Sequence, residues 1–192
     1  YTDDTGLLPS TTYYYRIRAL GAGDPSAWVG PVNATTAPTA PTTLVATGVS
    51  SSQIDLTWNQ TSPDETGFRI ERSPATLGTW STVTTTAPDA VSYSDNTGLA
   101  ASTSYDYRVF AESANGDSPA SNTATGTTLA APPTAPTGFT ATTASSTEID
   151  LAWTDASGDE TGFQIQWSPN GTDTWTDEVT TAIDAESYTD DT

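Results

Sequence analysis

The stretch Gln53-Ile54-Asp55-Leu56-Thr57-Trp58 alternates polar and apolar side chains. Successive side chains of a β-strand point to opposite faces, so Ile54, Leu56 and Trp58 would share one face. A close copy, Asp150-Leu151-Ala152-Trp153, follows later in the chain. The two copies predict that one half-buried strand occurs twice, within repeated β-structure.

Short alternating runs rich in Thr, Ser, Val, Ile, Tyr and Trp continue along the chain, separated by Gly, Pro, Asn and Asp. No window has a convincing helical period. Within one complete repeat we predict seven strands: A at 44–47, B at 53–58, C at 68–72, C′ at 80–83, E at 91–93, F at 105–111 and G at 121–127. Seven short antiparallel strands in about 90 residues are typical of a two-sheet sandwich, so the expected fold class is all-β.

The sequence nearly repeats itself along its length. Residues 1–37 align with residues 93–129, and residues 41–97 align with residues 136–192. The opening pentapeptide Tyr1-Thr2-Asp3-Asp4-Thr5 accordingly reappears as the last five residues. A repeat of this size indicates a tandem array of small domains.

The repeat predicts one complete domain flanked by two complementary partial domains. Residues 38–129 form the complete sandwich, residues 1–37 the last strands (the end of E, then F and G) of another, and residues 130–192 strands A to E of a third. Each partial domain alone would expose half a core and open sheet edges. Two explanations remain open. The sequence is a window on a longer chain, or the end of one copy is completed by the start of the next.

Proline-rich segments separate the repeats, at residues 35–41 and 129–136. Such segments favour the extended polyproline conformation and act as semi-rigid spacers. The expected array is therefore an elongated rod with limited bending.

The composition excludes several classes of protein. The chain has 24 Asp and Glu against 5 Arg, no Lys, His or Cys, and a net charge of −19. Nucleic acid and anionic lipid are unsuitable partners, because both require a basic surface. The usual catalytic base and thiolate chemistry are missing. Since no run approaches the ~18 apolar residues of a spanning helix, we expect no membrane insertion.

Longer motifs give a family resemblance. Leu7–Ile17 has a counterpart in Leu99–Val109, with Ala101 where Pro is usual, and Asp64–Ser73 recurs as Asp159–Ser168. Together with the repeated strand-B Trp, these motifs resemble tandem fibronectin type III domains of prokaryotic extracellular or cell-surface proteins, over essentially the whole chain. The resemblance implies immunoglobulin-like seven-stranded sandwiches.

Structural roles are expected for six core residues. We expect Trp58 and Trp153 to fill the space between the two sheets with large apolar side chains. Tyr13 and Tyr105 occupy positions where the hydroxyl of a tyrosine corner would bond a backbone group upstream. Alternation directs Phe68 and Phe163 inward, and Trp167 is in phase with Phe163.

Candidate ligand sites are few. Asp155, Asp159 and Glu160 offer hard oxygen ligands for Ca²⁺, but they lack the spacing of a dedicated loop, and ordinary solvated turns are the alternative. We therefore expect no metal and no cofactor.

Two further groups of residues are candidates for carbohydrate chemistry. Glycosylation sequons, which also arise by chance in a Thr-rich chain, begin at Asn33, Asn59 and Asn170. Three aromatic residues would be sugar-stacking platforms if exposed, or would close the ends of the sandwich: Trp28, Trp80 and Trp175.

The functional expectation is structural and non-catalytic. A catalytic reaction would have to use Ser, Thr, Tyr, Asp, Glu or Arg alone, and small sandwiches offer no deep cleft. We expect a segment of an extracellular or cell-surface filament, stalk or coat, whose partners are adjacent repeats or copies of itself. The alternatives are an adhesin or carbohydrate-binding array that binds surface glycans, and spacer domains of a secreted hydrolase.

Overall fold

The computed structural model describes residues 1–172 and 174–191. In these ranges all regular structure is β, which confirms the predicted fold class, and none of it is a helix able to span a membrane. The chain divides into a first unit, Tyr1–Ala131, and a second unit, Pro132–Thr192. The strands are β1 Thr12–Ile17, β2 Val29–Thr35, β3 Thr42–Ser50, β4 Gln53–Asn59, β5 Gly67–Pro74, β6 Ser81–Thr85, β7 Ser92–Asp95, β8 Ser104–Glu112, β9 Ala124–Thr127, β10 Thr137–Ser145, β11 Glu148–Thr154, β12 Gln164–Trp167, β13 Thr176–Thr180 and β14 Ser187–Asp190.

A complete sandwich in the first unit is formed by β3 to β9. One sheet has the order β3-β4-β7 and the other has the order β6-β5-β8-β9. Every pairing within them is antiparallel. The seven strands correspond to the seven that the alternating pattern predicts.

The core of this sandwich lies between β4 on one sheet and β5 and β8 on the other. Ile54 and Leu56 are fully buried, and Trp58 is 3% exposed. The rings of Trp58 and Phe68 are 5.6 Å apart between centroids, in a tilted arrangement that favours aromatic pairs. Tyr107 on β8 lies fully buried beside them in the same cluster.

The last strand of the sandwich begins later than the pattern predicts, at Ala124 rather than Ser121. The Asn122 side chain makes the two hydrogen bonds that a paired strand residue would make with β3. Its Oδ1 accepts from Leu44 N at 2.9 Å, and its Nδ2 donates to Leu44 O at 3.0 Å. Ser121 Oγ likewise accepts from Val109 N at 3.0 Å. Side-chain hydrogen bonds therefore supplement the backbone ladder over these residues, since Ser121 N still donates to Val109 O at 2.9 Å.

Gly48 is required where β3 passes the end of β9. A Cβ atom added at Gly48 would lie 1.8 Å from the carbonyl oxygen of Thr127. Because that neighbour is backbone, it cannot rotate away, and only glycine allows the two sheets to approach so closely at this edge.

The first 37 residues contribute a two-stranded sheet, in which β1 pairs with β2. One face of this sheet carries Ile17, Val29 and Val32, which are 72%, 69% and 66% exposed. No second sheet covers them among the described residues. The hairpin is therefore a sheet with an uncovered apolar face.

The second unit contains two separate small sheets, β10-β11-β14 and β12-β13. Trp153 and Ile165 are 7% and 8% exposed, and the Trp153 ring lies 5.4 Å from that of Phe163. Trp167, which alternation directs inward, is 48% exposed. The difference arises because β12 pairs only with β13, whereas the corresponding β5 has strands on both sides.

Candidate functional site

The polar centre of the complete sandwich is the buried carboxylate of Asp95. Its Oδ2 accepts hydrogen bonds from Arg72 Nη1 at 2.7 Å and from the Tyr107 hydroxyl at 2.9 Å. Its Oδ1 accepts from Thr97 Oγ1 at 2.6 Å. Burial acts to raise the pKa of Asp95, but these hydrogen bonds outweigh it and hold the pKa below its usual range. The group is saturated by structural partners.

A second polar network lies on the face of β5 and β8. Arg69 contacts Glu71, Glu112 and Asp117, the last at 2.7 Å. Arg108 Nη2 lies 2.6 Å from Glu71 Oε2. These arginines are therefore paired with carboxylates along the strands rather than directed into a cleft.

Arginine also contacts two of the three tryptophans proposed as carbohydrate platforms. The guanidinium groups of Arg16 and Arg18 lie 4.3 and 4.6 Å from the centroid of the Trp28 ring, and Trp28 is 46% exposed. Arg108 lies 4.3 Å from the half-buried Trp80 ring. Trp175 is 56% exposed in the second unit, so it presents the most open ring of the three.

The two predicted tyrosine-corner residues occupy matching positions. The Tyr105 hydroxyl accepts a hydrogen bond from Ala100 N at 2.9 Å, and the Tyr13 hydroxyl accepts one from Leu8 N at 2.7 Å. In each case the phenol holds a backbone group five residues upstream. This contact holds in place the segment that precedes the tyrosine-bearing strand, which is β8 for Tyr105 and β1 for Tyr13.

The three sequon asparagines, Asn33, Asn59 and Asn170, are all exposed. Asn33 lies on β2, and Asn59 is the last residue of β4. Exposure permits modification of each side chain but does not select among them.

Two open clefts occur at the uncovered sheet faces. One, of about 540 Å³, lies in the second unit and is lined by Phe139, Trp153 and Phe163 among others. The other, of about 820 Å³, lies in the first unit and is lined by Ile17 and Val32 with neighbours of β1 and β2. Both are half-cores rather than enclosed pockets.

An acidic cluster in the second unit brings together Asp155, Glu160 and Asp184. One carboxylate oxygen from each lies within 4.8 Å of the others. Glu160 is only 5% exposed, its Oε1 accepts from Asp184 N at 3.1 Å, and its Oε2 is buried without a hydrogen-bond partner. Among the residues that the structure describes, this group of carboxylates is the one close enough together to hold a cation.

The cluster differs by one residue from the expected calcium candidates. Asp155 and Glu160 belong to it, but the exposed Asp159 accepts a hydrogen bond from Ser157 Oγ at 2.5 Å instead. Asp184, between β13 and β14, takes its place. Because it is distant in sequence, no local spacing could reveal it.

Comparison with known proteins finds one family match and several similar proteins. The family model described as Fibronectin type III domain matches residues 39–127. Chitinase A1 of Niallia circulans is 37% identical over 153 residues, which are 75% of this chain and 20% of that protein. Endoglucanase B of Cellulomonas fimi is 37% identical over 139 residues, which are 65% of this chain and 13% of that protein.

Among solved structures, an Fn3-like protein from Clostridium thermocellum is 30% identical with a TM-score of 0.43, covering 50% of this chain and 99% of that one. The chain thus spans a fifth or less of the length of the two curated relatives.

Proposed function

Because the chain belongs to the fibronectin type III family, whose domain occupies residues 39–127, we propose that it is a non-catalytic spacer within a longer extracellular protein. Its role is mechanical, holding other domains apart through independently folded sandwiches. The filament, stalk or coat expected from the sequence is one form of this role, and the spacer of a secreted hydrolase is another.

The observation that carries this proposal is how the polar groups of the complete sandwich are used. The buried Asp95 binds Arg72 and Tyr107, and the partly buried Arg69 binds three carboxylates on neighbouring strands. Catalytic groups must be reachable by a substrate, usually in a concave pocket. Asp95 is fully buried and Arg69 is paired with carboxylates along the strands, so these groups stabilise the module, which supports a non-catalytic role.

The relatives favour the hydrolase spacer over the filament. Two of them carry names of polysaccharide-degrading enzymes, and this chain matches only a small share of each. A shared segment of that size is consistent with a module that accompanies a catalytic domain. Since polysaccharides are too large to enter a cell, such a module would act outside it.

The uncovered faces support completion by neighbouring repeats. Ile17 and Val32 on the β1–β2 sheet and Phe139 in the second unit are each more than 60% exposed. Contiguous apolar faces of this kind are rare on soluble monomers. We propose that strands of adjacent repeats, in the same polypeptide or in a second copy, pack over these apolar faces.

The first experiment isolates the native polypeptide with an antibody against this chain, then measures its mass and maps its peptides. A polypeptide far above 20.0 kDa that contains a glycoside hydrolase domain supports the hydrolase spacer. One that contains only repeats supports the filament or coat. Hydrolysis of a polysaccharide by these 192 residues alone would overturn the non-catalytic role.

A second experiment tests the cover of the faces by analytical ultracentrifugation. The chain should associate as its concentration rises, and Ile17→Asp should abolish this association. Tyr14→Asp is the matched control, because Tyr14 lies on the opposite face of β1 from Ile17 and is 70% exposed. A chain that stays monomeric at high concentration would count against the proposed cover.

The exposed ring of Trp175 favours a second candidate function, the binding of glycans. Its counterpart Trp80 lies under Arg108, whereas Trp175 is 56% exposed. Binding on a glycan array that is lost with Trp175→Ala and retained with Trp80→Ala would support it. An array without signal would reject it.

A further inference from the structure

We infer that Asp155, Glu160 and Asp184 form a Ca²⁺-binding site in the second unit. The three carboxylates come from separate segments: Asp155 follows β11, Glu160 precedes β12, and Asp184 lies between β13 and β14. One oxygen of each lies within 4.8 Å of the other two. Ligands bound to one Ca²⁺ at 2.3–2.6 Å lie at most about 5 Å apart, so the spacing fits a shared ion.

The buried Glu160 supplies the independent observation. The side chain is 5% exposed, and its Oε2 has no hydrogen-bond partner. A carboxylate removed from water is costly unless it is paired or coordinates a metal. Two more carboxylates beside it raise that cost through like-charge repulsion.

The complete sandwich shows what normally fills this position. At the residues that align with the cluster, Glu65 is 7% exposed, and Gln60 donates its Nε2 to Glu65 Oε1 at 2.5 Å and to Asp89 Oδ1 at 3.3 Å. One amide therefore bridges the two carboxylates. Glu65 Oε2 is also without a partner, so the two repeats differ chiefly in the central residue.

In the second unit the bridging amide is replaced by a third carboxylate. Asp155 aligns with Gln60, and it has no N–H donor in its side chain to offer Glu160. The backbone contact is conserved, because Asp184 N donates to Glu160 Oε1 at 3.1 Å as Asp89 N donates to Glu65 Oε1 at 3.2 Å. A bound cation would bridge the carboxylates of this repeat, as the Gln60 amide bridges Glu65 and Asp89 in the complete sandwich.

Calcium is the cation that this donor set suits best. All three ligands are hard carboxylate oxygens, and the chain has no His or Cys to favour a transition metal. Ca²⁺ accepts irregular sets of six to eight oxygens, and water can reach the exposed Asp184 to complete them. The ion would join the end of β11, the segment before β12 and the connection between β13 and β14.

The experiment is a calorimetric titration of the full chain with Ca²⁺ after treatment with a chelator. We expect one ion per chain. Asp155→Gln, which installs the residue of the complete repeat, should weaken binding at least tenfold. Asp159→Asn is the matched control, because it removes a neighbouring acidic charge outside the cluster and should change affinity less than twofold.

The reciprocal change tests the site by gain of function. Gln60→Asp should create a second Ca²⁺ site in the complete sandwich and raise the stoichiometry to two ions per chain. If Asp155→Gln fails to fold, as judged by its circular dichroism spectrum, Asp184→Asn replaces it with the same expected loss.

Three results would overturn the inference. They are no binding at millimolar Ca²⁺, equal loss of affinity in Asp155→Gln and Asp159→Asn, or a Gln60→Asp chain that still binds one ion. Equal losses would mean that the net charge of −19 attracts Ca²⁺ diffusely.

Discussion

The Tyr107 hydroxyl donates a hydrogen bond of 2.9 Å to Asp95 Oδ2 inside the complete sandwich. The same relationship recurs at the start of the chain, where the Tyr15 hydroxyl donates to Asp3 Oδ2 at 3.0 Å. Arg72 joins only the first pair. The Tyr–Asp contact therefore does not require an arginine. It belongs to the segment that runs from the aspartate to the tyrosine-bearing strand, which is β8 in the complete sandwich and β1 at the start of the chain.

Replacing Asp95 by Asn should destabilise the complete sandwich by about 3 kcal/mol. The change leaves the charge of Arg72 without its buried partner, and breaking a buried pair in this way is strongly unfavourable. Urea unfolding followed by tryptophan fluorescence measures the free energy of unfolding. Asp117→Asn is the control, because its pair with Arg69 lies at the surface and should contribute less than about 1 kcal/mol.

The same carboxylate predicts how stability depends on pH. Hydrogen bonds from Thr97, Tyr107 and Arg72 outweigh burial and lower the pKa of Asp95 below its usual value of 3.8. The unfolded chain therefore takes up this proton at a higher pH than the folded chain does. The contribution of Asp95 is complete above about pH 5, roughly one unit above the unfolded pKa, and is lost as pH falls through the folded pKa.

The measurement is the free energy of unfolding of the natural chain and of Asp95→Asn between pH 7 and pH 2. The difference between them should stay constant above about pH 5 and shrink in acid. If this difference in the free energy of unfolding grew as pH fell, the folded-state pKa of Asp95 would be raised rather than lowered, which would contradict the prediction.

Trp58→Ala should cost roughly 3–5 kcal/mol, because it opens a cavity in the core and removes the contact with Phe68. Trp175→Ala should change stability by less than about 0.5 kcal/mol, since that ring is 56% exposed. Chemical denaturation of both variants provides the comparison. Equal losses would contradict the assignment of Trp58 to the core.

Tyr105→Phe should destabilise the complete sandwich by about 1–2 kcal/mol, because Ala100 N loses its acceptor. Tyr14→Phe is the control, since the Tyr14 side chain is 70% exposed. Thermal unfolding distinguishes them, and hydrogen exchange at Ala100 should accelerate only in the first variant.

Much of the sandwich could be predicted from neighbouring residues alone. The alternation around Ile54, Leu56 and Trp58 determines which face of β4 is buried, because successive side chains of a strand point to opposite faces. The strand order in the chain and the all-β class follow from the same short-range signal. Long-range contacts leave no such trace, which is why Asp184 could not be grouped with Asp155 and Glu160 beforehand.

The sequence by itself determined the repeat, the strands and the inward side chains of β4, β5 and β8, because these depend on residues a few positions apart. Only the tertiary structure decided that the Asn122 side chain bonds the Leu44 backbone and that Trp167 stays exposed. It also decided that Arg72 meets Asp95. These outcomes depend on which strands pair and which segments meet after folding, and no local period encodes those distances.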